Sequence, residues 1–210
     1  MKKFVLGLIC GIGLTATTAV YASDTIQAYL FPAKFEVNGQ NKEIDSEYTV
    51  LNYNGHAYVP VRFVAESLGL GIRYADKDNV ISIMNEPTNV DVVTKKVWLV
   101  QYRITNGVDR NYVKGLLGEP SVERTNDDSQ QAVWRYDISP IQGYKYDDLN
   151  KIDVKGLEQG DIKAQIFIHW SNEGKVERIA LWYTKNKDKD KWIHVNYLYE
   201  DGSTTDAIYE

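Results

Sequence analysis

Tyr58-Val-Pro-Val-Arg-Phe-Val-Ala-Glu-Ser-Leu-Gly69 contains the end of a strand, a helix start, two helical turns and a stop. Pro60 suits the first turn of a helix, where its fixed φ is correct and its missing N–H is not needed. Val61, Val64, Ala65 and Leu68 fall at i, i+3, i+4 and i+7, which makes one apolar stripe. Arg62 and Glu66, four residues apart on the same helix, read as a structural ion pair. Gly69 follows at the position that favours a left-handed cap. A strand that runs straight into a short amphipathic helix points to an α+β fold.

The same logic extends in both directions. Lys34–Val37 alternates, Asn38-Gly39 is a tight-turn dipeptide, and Gln40–Ile44 returns. A second hairpin turns at Asn54-Gly55, and Ile72–Tyr74 with Val80–Met84 forms a third pair of short strands. Composition breaks at Asn85-Glu-Pro-Thr-Asn89. The expectation is two small domains, each an antiparallel sheet with one or two short helices. They occupy residues 26–86 and 97–210, with a linker at 87–96.

The second domain opens with Val97–Ile104, whose apolar run suits strand or helix. Gly107 leads into a helix with Asp109 as N-cap and Tyr112, Val113, Leu116 and Leu117 on its buried stripe. Gly118 closes that helix and Pro120 prevents its continuation. Strands are expected at Ala132–Ile138, Ala164–Trp170, Val176–Thr184 and Trp192–Tyr199, with a further one near Thr204–Tyr209. The turn Ser171-Asn-Glu-Gly174 joins the middle two. A polar segment at 139–163 without apolar periodicity separates the first two.

Two resemblances attach to these residues. Phe35-Glu-Val-Asn-Gly39, Asn54-Gly55, the 58–69 stretch, Ile72-Arg-Tyr74, Asp76-Lys-Asp-Asn79 and Val80-Ile-Ser-Ile83 occur in the order seen in a small stalk module. That module is the copper amine oxidase-like N-terminal domain, which residues 26–86 resemble. In the oxidases it is an appendage, and copper and the quinone belong elsewhere. The resemblance therefore implies an exported module of bacterial surface and secreted proteins. Gly107 to Pro120, followed by Trp134-Arg-Tyr136, is similar to the small lipoprotein of the outer-membrane barrel-assembly machinery. It is similar also to the related fold of a β-lactamase inhibitor protein. This second likeness covers residues 97–184 and implies a fold only, since the chain lacks the lipid-bearing cysteine and adds the 139–163 segment.

Met1-Lys-Lys3, the apolar run Phe4 to Val20 and the small residues around Ala22 read as a secretory signal peptide over residues 1–22. Its removal takes away Lys2 and Lys3 and no acid, so the formal charge moves from −5 to −7. The one cysteine, Cys10, goes with it. The expected location is secreted or cell-wall associated, with no stable membrane anchor after cleavage. An acidic chain without a basic stripe argues against nucleic acid.

No phosphate loop, zinc helix motif or nucleophile elbow is present. His56, His169 and His194 are not at metal-ligand spacing from one another. The acid pairs Asp76/Asp78, Asp127/Asp128, Asp147/Asp148 and Asp188/Asp190 lack the glycine and glutamate of a calcium loop. The charged run 185–191 reads as a solvated loop. No catalytic, cofactor-binding or metal residue is assigned.

The chain is rich in aromatics, with 15 Tyr and 5 Trp. Alternation puts Ile166, Ile168 and Trp170 opposite Phe167 and His169, and Ile179, Leu181 and Tyr183 opposite Ala180 and Trp182. Ile193, Val195 and Tyr197 oppose Trp192 and His194. The expectation is one aliphatic face packed on the helix and one aromatic face carrying Trp182, Trp192, His169 and His194. That face either packs inside the protein or meets a partner. The functional expectation is an exported, non-catalytic binding or scaffolding protein with the stalk module as spacer or docking unit. Its partner would be a cell-surface or secreted protein, or a cell-wall polymer. The alternative is a secreted inhibitor of a hydrolase.

Overall fold

Asn38 and Gly39 have φ of 52° and 76°, and Asn54 and Gly55 have 50° and 80°. Two consecutive positive φ values let a two-residue turn match the twist of its strands. The computed structural model describes residues 25–46, 48–75, 79–125, 131–148, 150–185 and 192–209. The signal-peptide reading at 1–22, Cys10 and the acid pairs at 76/78, 127/128 and 188/190 lie outside them.

The described residues form two compact units. The first comprises those up to Lys34 together with Asp45–Pro60. In it β1 (Tyr29–Leu30), β4 (Leu51–Tyr53) and β5 (His56–Tyr58) make a three-stranded antiparallel sheet in the order β1-β4-β5. Tyr53 and Tyr58 meet edge to face at 6.0 Å.

The second unit comprises Phe35–Ile44 and the residues from Val61 onward. It holds the hairpin β2 (Phe35–Val37) and β3 (Gln40–Lys42), then helix α1 (Val61–Ser67), then the hairpin β6 (Gly71–Ala75) and β7 (Val80–Met84). Helix α1 begins directly after Pro60 and ends in a Schellman motif. Leu70 N–H donates to Ala65 C=O at 2.8 Å, Gly69 N–H donates to Glu66 C=O at 2.9 Å, and Gly69 has φ of 75°. The expected buried stripe is corrected. Val61, Val64 and Leu68 are exposed, and Phe63 and Ala65 are buried. Phe63 meets Phe35 edge to face at 4.7 Å, and in so short a helix this one aromatic contact fixes which side faces inward.

Helix α2 (Val92–Arg103) starts inside the expected linker, and the sequence reading is corrected there too. Asp91 caps it, accepting from Thr94 N–H at 3.0 Å, and that bond with the Thr94 hydroxyl holds the Asp91 carboxyl below its ordinary range. Helix α3 (Arg110–Leu117) is capped by Asp109, which accepts from Tyr112 N–H at 2.9 Å. Strands β8 (Val122–Thr125), β9 (Ala132–Ile138), β10 (Ala164–Trp170), β11 (Val176–Thr184), β12 (Ile193–Leu198) and β13 (Thr204–Tyr209) follow. They build one antiparallel meander of six, each strand paired with its sequence neighbour. The class is α+β, as expected.

One face of this meander buries Trp134, Tyr136, Ile166, Ile168, Trp170, Ile179 and Leu181 together with Val97, Leu99, Val113 and Leu117 of α2 and α3. Gly107 N–H donates to Val176 C=O at 2.9 Å, which ties the α2–α3 connection to the sheet. The expected domain boundary fell between β7 and α2. The structure instead groups α1, β6 and β7 with the meander, because Gly71 lies on Trp98 of α2 and Arg73 pairs with Asp206 of β13 at 2.6 Å.

Candidate binding groove

The 139–163 segment decides what becomes of the other face. It carries helix α4 (Val154–Gln159), which no apolar periodicity announces. The helix is set by its ends: Asp153 accepts from Gly156 N–H at 2.9 Å, and Gly160 closes it with φ of 81°. Leu157 and Ile162 are buried with Ile193, and Tyr144, Ile152, Val154 and Trp182 pack around them. The segment is thus a lid folded over part of the second face.

Polar side chains fasten that lid. Arg135, buried on β9, donates to Tyr146 C=O at 2.6 Å and to Asp148 C=O at 3.2 Å, and pairs with Asp137 at 3.0 Å. Gln165, fully buried on β10, donates to Asp137 Oδ1 at 2.8 Å and accepts from Asp153 N–H at 2.9 Å. Tyr144 donates to Asp153 at 2.9 Å, and burial with this bond pushes its hydroxyl pKa up. The groups are mutually satisfied, as a buried network must be.

Beyond the lid the face is open. Strand pairing sets Phe167, Ala180 and Tyr197 in one row across β10, β11 and β12. His169 and Arg178 are opposite each other in the next row, and Gln165, Trp182 and Val195 form the row on the other side. Ala180 is therefore a small residue ringed by Phe167, Tyr197, Trp182 and Arg178. Over it lies a groove of about 590 Å³, rimmed by Asn150, Lys151 and Ile152 from the lid.

Electrostatics divide the groove. Arg178 Nη2 donates to Gln131 Oε1 at 3.3 Å and lies 3.4 Å from His169 Nδ1. Gln131 in turn donates to the Glu177 carboxylate. Burial, with Arg178 adding to it, lowers the His169 pKa to about 4, so the ring is neutral at ordinary pH. Burial raises the Tyr197 hydroxyl pKa.

The four residues expected on one aromatic face are not brought together, and this is a correction. Trp182 and His169 do share the groove face. His194 pairs with Tyr183 on the opposite face and stacks on it at 5.3 Å. Trp192 precedes β12 and is exposed. Alternation within each strand reads correctly, but it does not give the register between β11 and β12, which pairs Trp182 with Val195 and Tyr183 with His194. A shift of one residue there exchanges the faces.

Of the remaining expected residues, Trp134 and Trp170 meet edge to face at 4.6 Å in the core, with Arg110 and Lys114 over their rings. Tyr136 is buried beside them, its pKa pushed up by burial and by Glu119 and Glu123. Gly118 has φ of 80° and its N–H donates to Lys114 C=O, and Pro120 follows, as the stop signal required. Arg62 and Glu66 pair at 3.6 Å along α1. Arg178 and Ala180 were missed, because only cross-strand register shows a small residue framed by large ones, and Lys151 because no periodicity in 139–163 places that segment over the sheet.

Among the described residues no three His, Cys, Asp or Glu side chains are placed to hold a metal ion. No helix among them is long and apolar enough to cross a membrane. Residues 14–83 match the family model of the copper amine oxidase N-terminal domain, about a third of the chain. No curated protein and no solved structure matches it.

Proposed function

We propose, from the stalk-like module matched at residues 14–83 and the groove over Ala180, an exported, non-catalytic binding protein of the bacterial cell surface. The module acts as spacer or docking unit, and the six-stranded sheet takes the partner, a secreted or surface protein or a wall polymer. The single observation that carries the reading is the framing of Ala180 by Phe167, Tyr197 and Trp182 on the part of the face that the lid leaves open. Concave aromatic surface with a few polar groups is what binding sites are made of.

The test is retention. The chain from Ser23 onward, and an Ala180→Phe variant whose ring fills the gap, are compared for retention on wall material and secreted proteins from producing cells. Intact mass of the native protein is measured in the same fractions. Retention of the parent and loss by the variant, with a native chain beginning at Ser23 outside the cytosol, is the expected result. Equal retention of both, or a full-length chain kept in the cytosol, would sink the reading.

A further inference from the structure

We propose that the groove over Ala180 binds a carboxylate-bearing sugar unit of an acidic glycan, which rests on the binding role given to this face above. The geometry comes first. Neighbouring strands lie about 4.8 Å apart, so residues on the two strands flanking β11 stand about 10 Å from one another. Phe167 and Tyr197 occupy those positions with Ala180 between them. The space left is the width of one six-membered ring, walled by aromatic surface and by Trp182 along the strand. Aromatic faces stack on the C–H faces of a pyranose.

Charge comes second. Arg178 and Lys151 line the groove, and among the described residues no carboxylate does. Among the described residues neither cation is paired with an acid. The nearby Glu177 carboxylate is taken by the Gln131 amide. In a chain of formal charge −5, two cations beside one aromatic gap select an anion. A guanidinium with free donors suits a carboxylate in particular.

The neutral polar groups separate a sugar from an acidic peptide. Asn150, the uncharged His169 imidazole and the Tyr197 hydroxyl surround the same gap. Each can both donate and accept, which matches hydroxyl groups and not a row of carboxylates. The groove is open to solvent, so an internal unit of a chain can lie in it.

Titration calorimetry at pH 7 on the chain from Ser23 onward tests this. The probes are oligogalacturonate, hyaluronan oligosaccharides and wall fragments containing N-acetylmuramic acid. Their methyl esters and poly-glutamate are the controls. At least one acidic sugar is expected to bind, with its methyl ester and the Arg178→Gln variant each weaker by tenfold or more. Ala180→Phe is expected to abolish binding while keeping the parent's melting temperature. No binding of any of the three sugars, an ester as tight as its acid, or tightest binding of poly-glutamate overturns the assignment. If all sugars fail while the retention difference between parent and Ala180→Phe persists, the glycan assignment falls and the binding face stands. If the retention difference is also absent, both fall.

Discussion

Gly71 of β6 lies flat against the indole of Trp98 on α2. A Cβ at Gly71 would stand 2.5 Å from Trp98 Cζ2 and 2.7 Å from Tyr102 Cβ. Trp98 is stacked on Tyr102 at 5.5 Å, so the ring cannot swing aside without breaking that contact. Gly71 has ordinary extended backbone, and alanine there would otherwise be favoured by its smaller unfolded-state entropy. The Gly71→Ala variant is therefore expected to lose about 1–3 kcal/mol by overpacking. In a Trp98→Leu background the same change should cost less, by the part due to the indole, while the contact with Tyr102 Cβ remains. Urea unfolding of the four proteins measures the coupling, and equal costs in both backgrounds would refute the contact.

The fastening of the lid gives the second expectation. Arg135 and Asp137 have side chains only 3 % and 7 % exposed. Removing one member of a buried pair leaves the other charge unpaired, at about 3–5 kcal/mol. Arg135→Ala also strips the donors from Tyr146 and Asp148 C=O. The parent should resist proteolysis across 139–163, and the variant should be cut there first. Mass mapping of the earliest fragments decides it. A parent cut first inside this segment would mean that the network does not hold the lid.

How much of this was legible in the sequence follows from where each signal resides. The hairpins at Asn38-Gly39 and Asn54-Gly55 were readable, because a positive φ at two adjacent residues requires such dipeptides. Strands β9 to β13 were readable as strands, with alternation giving the two sets of side chains within β10, β11 and β12. Helix α4 was not, since only Leu157 and the end residues Asp153 and Gly160 mark it in a polar stretch. The groove was illegible for a deeper reason. His194 and Trp182 belong to opposite faces through the pairing of Trp182 with Val195, and register is a property of two strands, not of either.

His169 makes stability depend on pH with a definite sign. Its folded pKa is about 4, below the ordinary 6.5. Between these values the unfolded chain binds a proton that the folded chain does not, so stability rises with pH in this window. Stability is then lost as pH falls from about 6.5 to about 4. The full shift would correspond to ~3 kcal/mol, and partial exposure of the ring reduces the expectation to about 1–2 kcal/mol. Other groups titrate in the same range, so the quantity to measure is the difference between the parent and His169→Gln. That difference should grow in the variant's favour from pH 7 to pH 4.5. A flat difference would show the imidazole to be well solvated.

Trp182 and Trp192, ten residues apart, should behave as different kinds of residue. Trp182 meets Tyr209 edge to face at 5.6 Å and Tyr197 at 6.2 Å, and packs on the cluster of Leu157, Ile162 and Ile193 beneath the lid. It is half-buried, so truncation falls short of a full core loss, which for tryptophan is ~3–5 kcal/mol. Trp182→Ala is expected to cost about 2–3 kcal/mol and to lower the melting temperature by roughly 5–10 °C. Trp192 is 44 % exposed and outside the strand, so Trp192→Ala should stay within about 0.5 kcal/mol of the parent. Thermal unfolding of both variants distinguishes them. If Trp182→Ala melts with the parent, its ring is not part of the packing that holds the lid to the sheet. The groove wall would then be a free side chain, and the rigid ring-width gap over Ala180 would not exist.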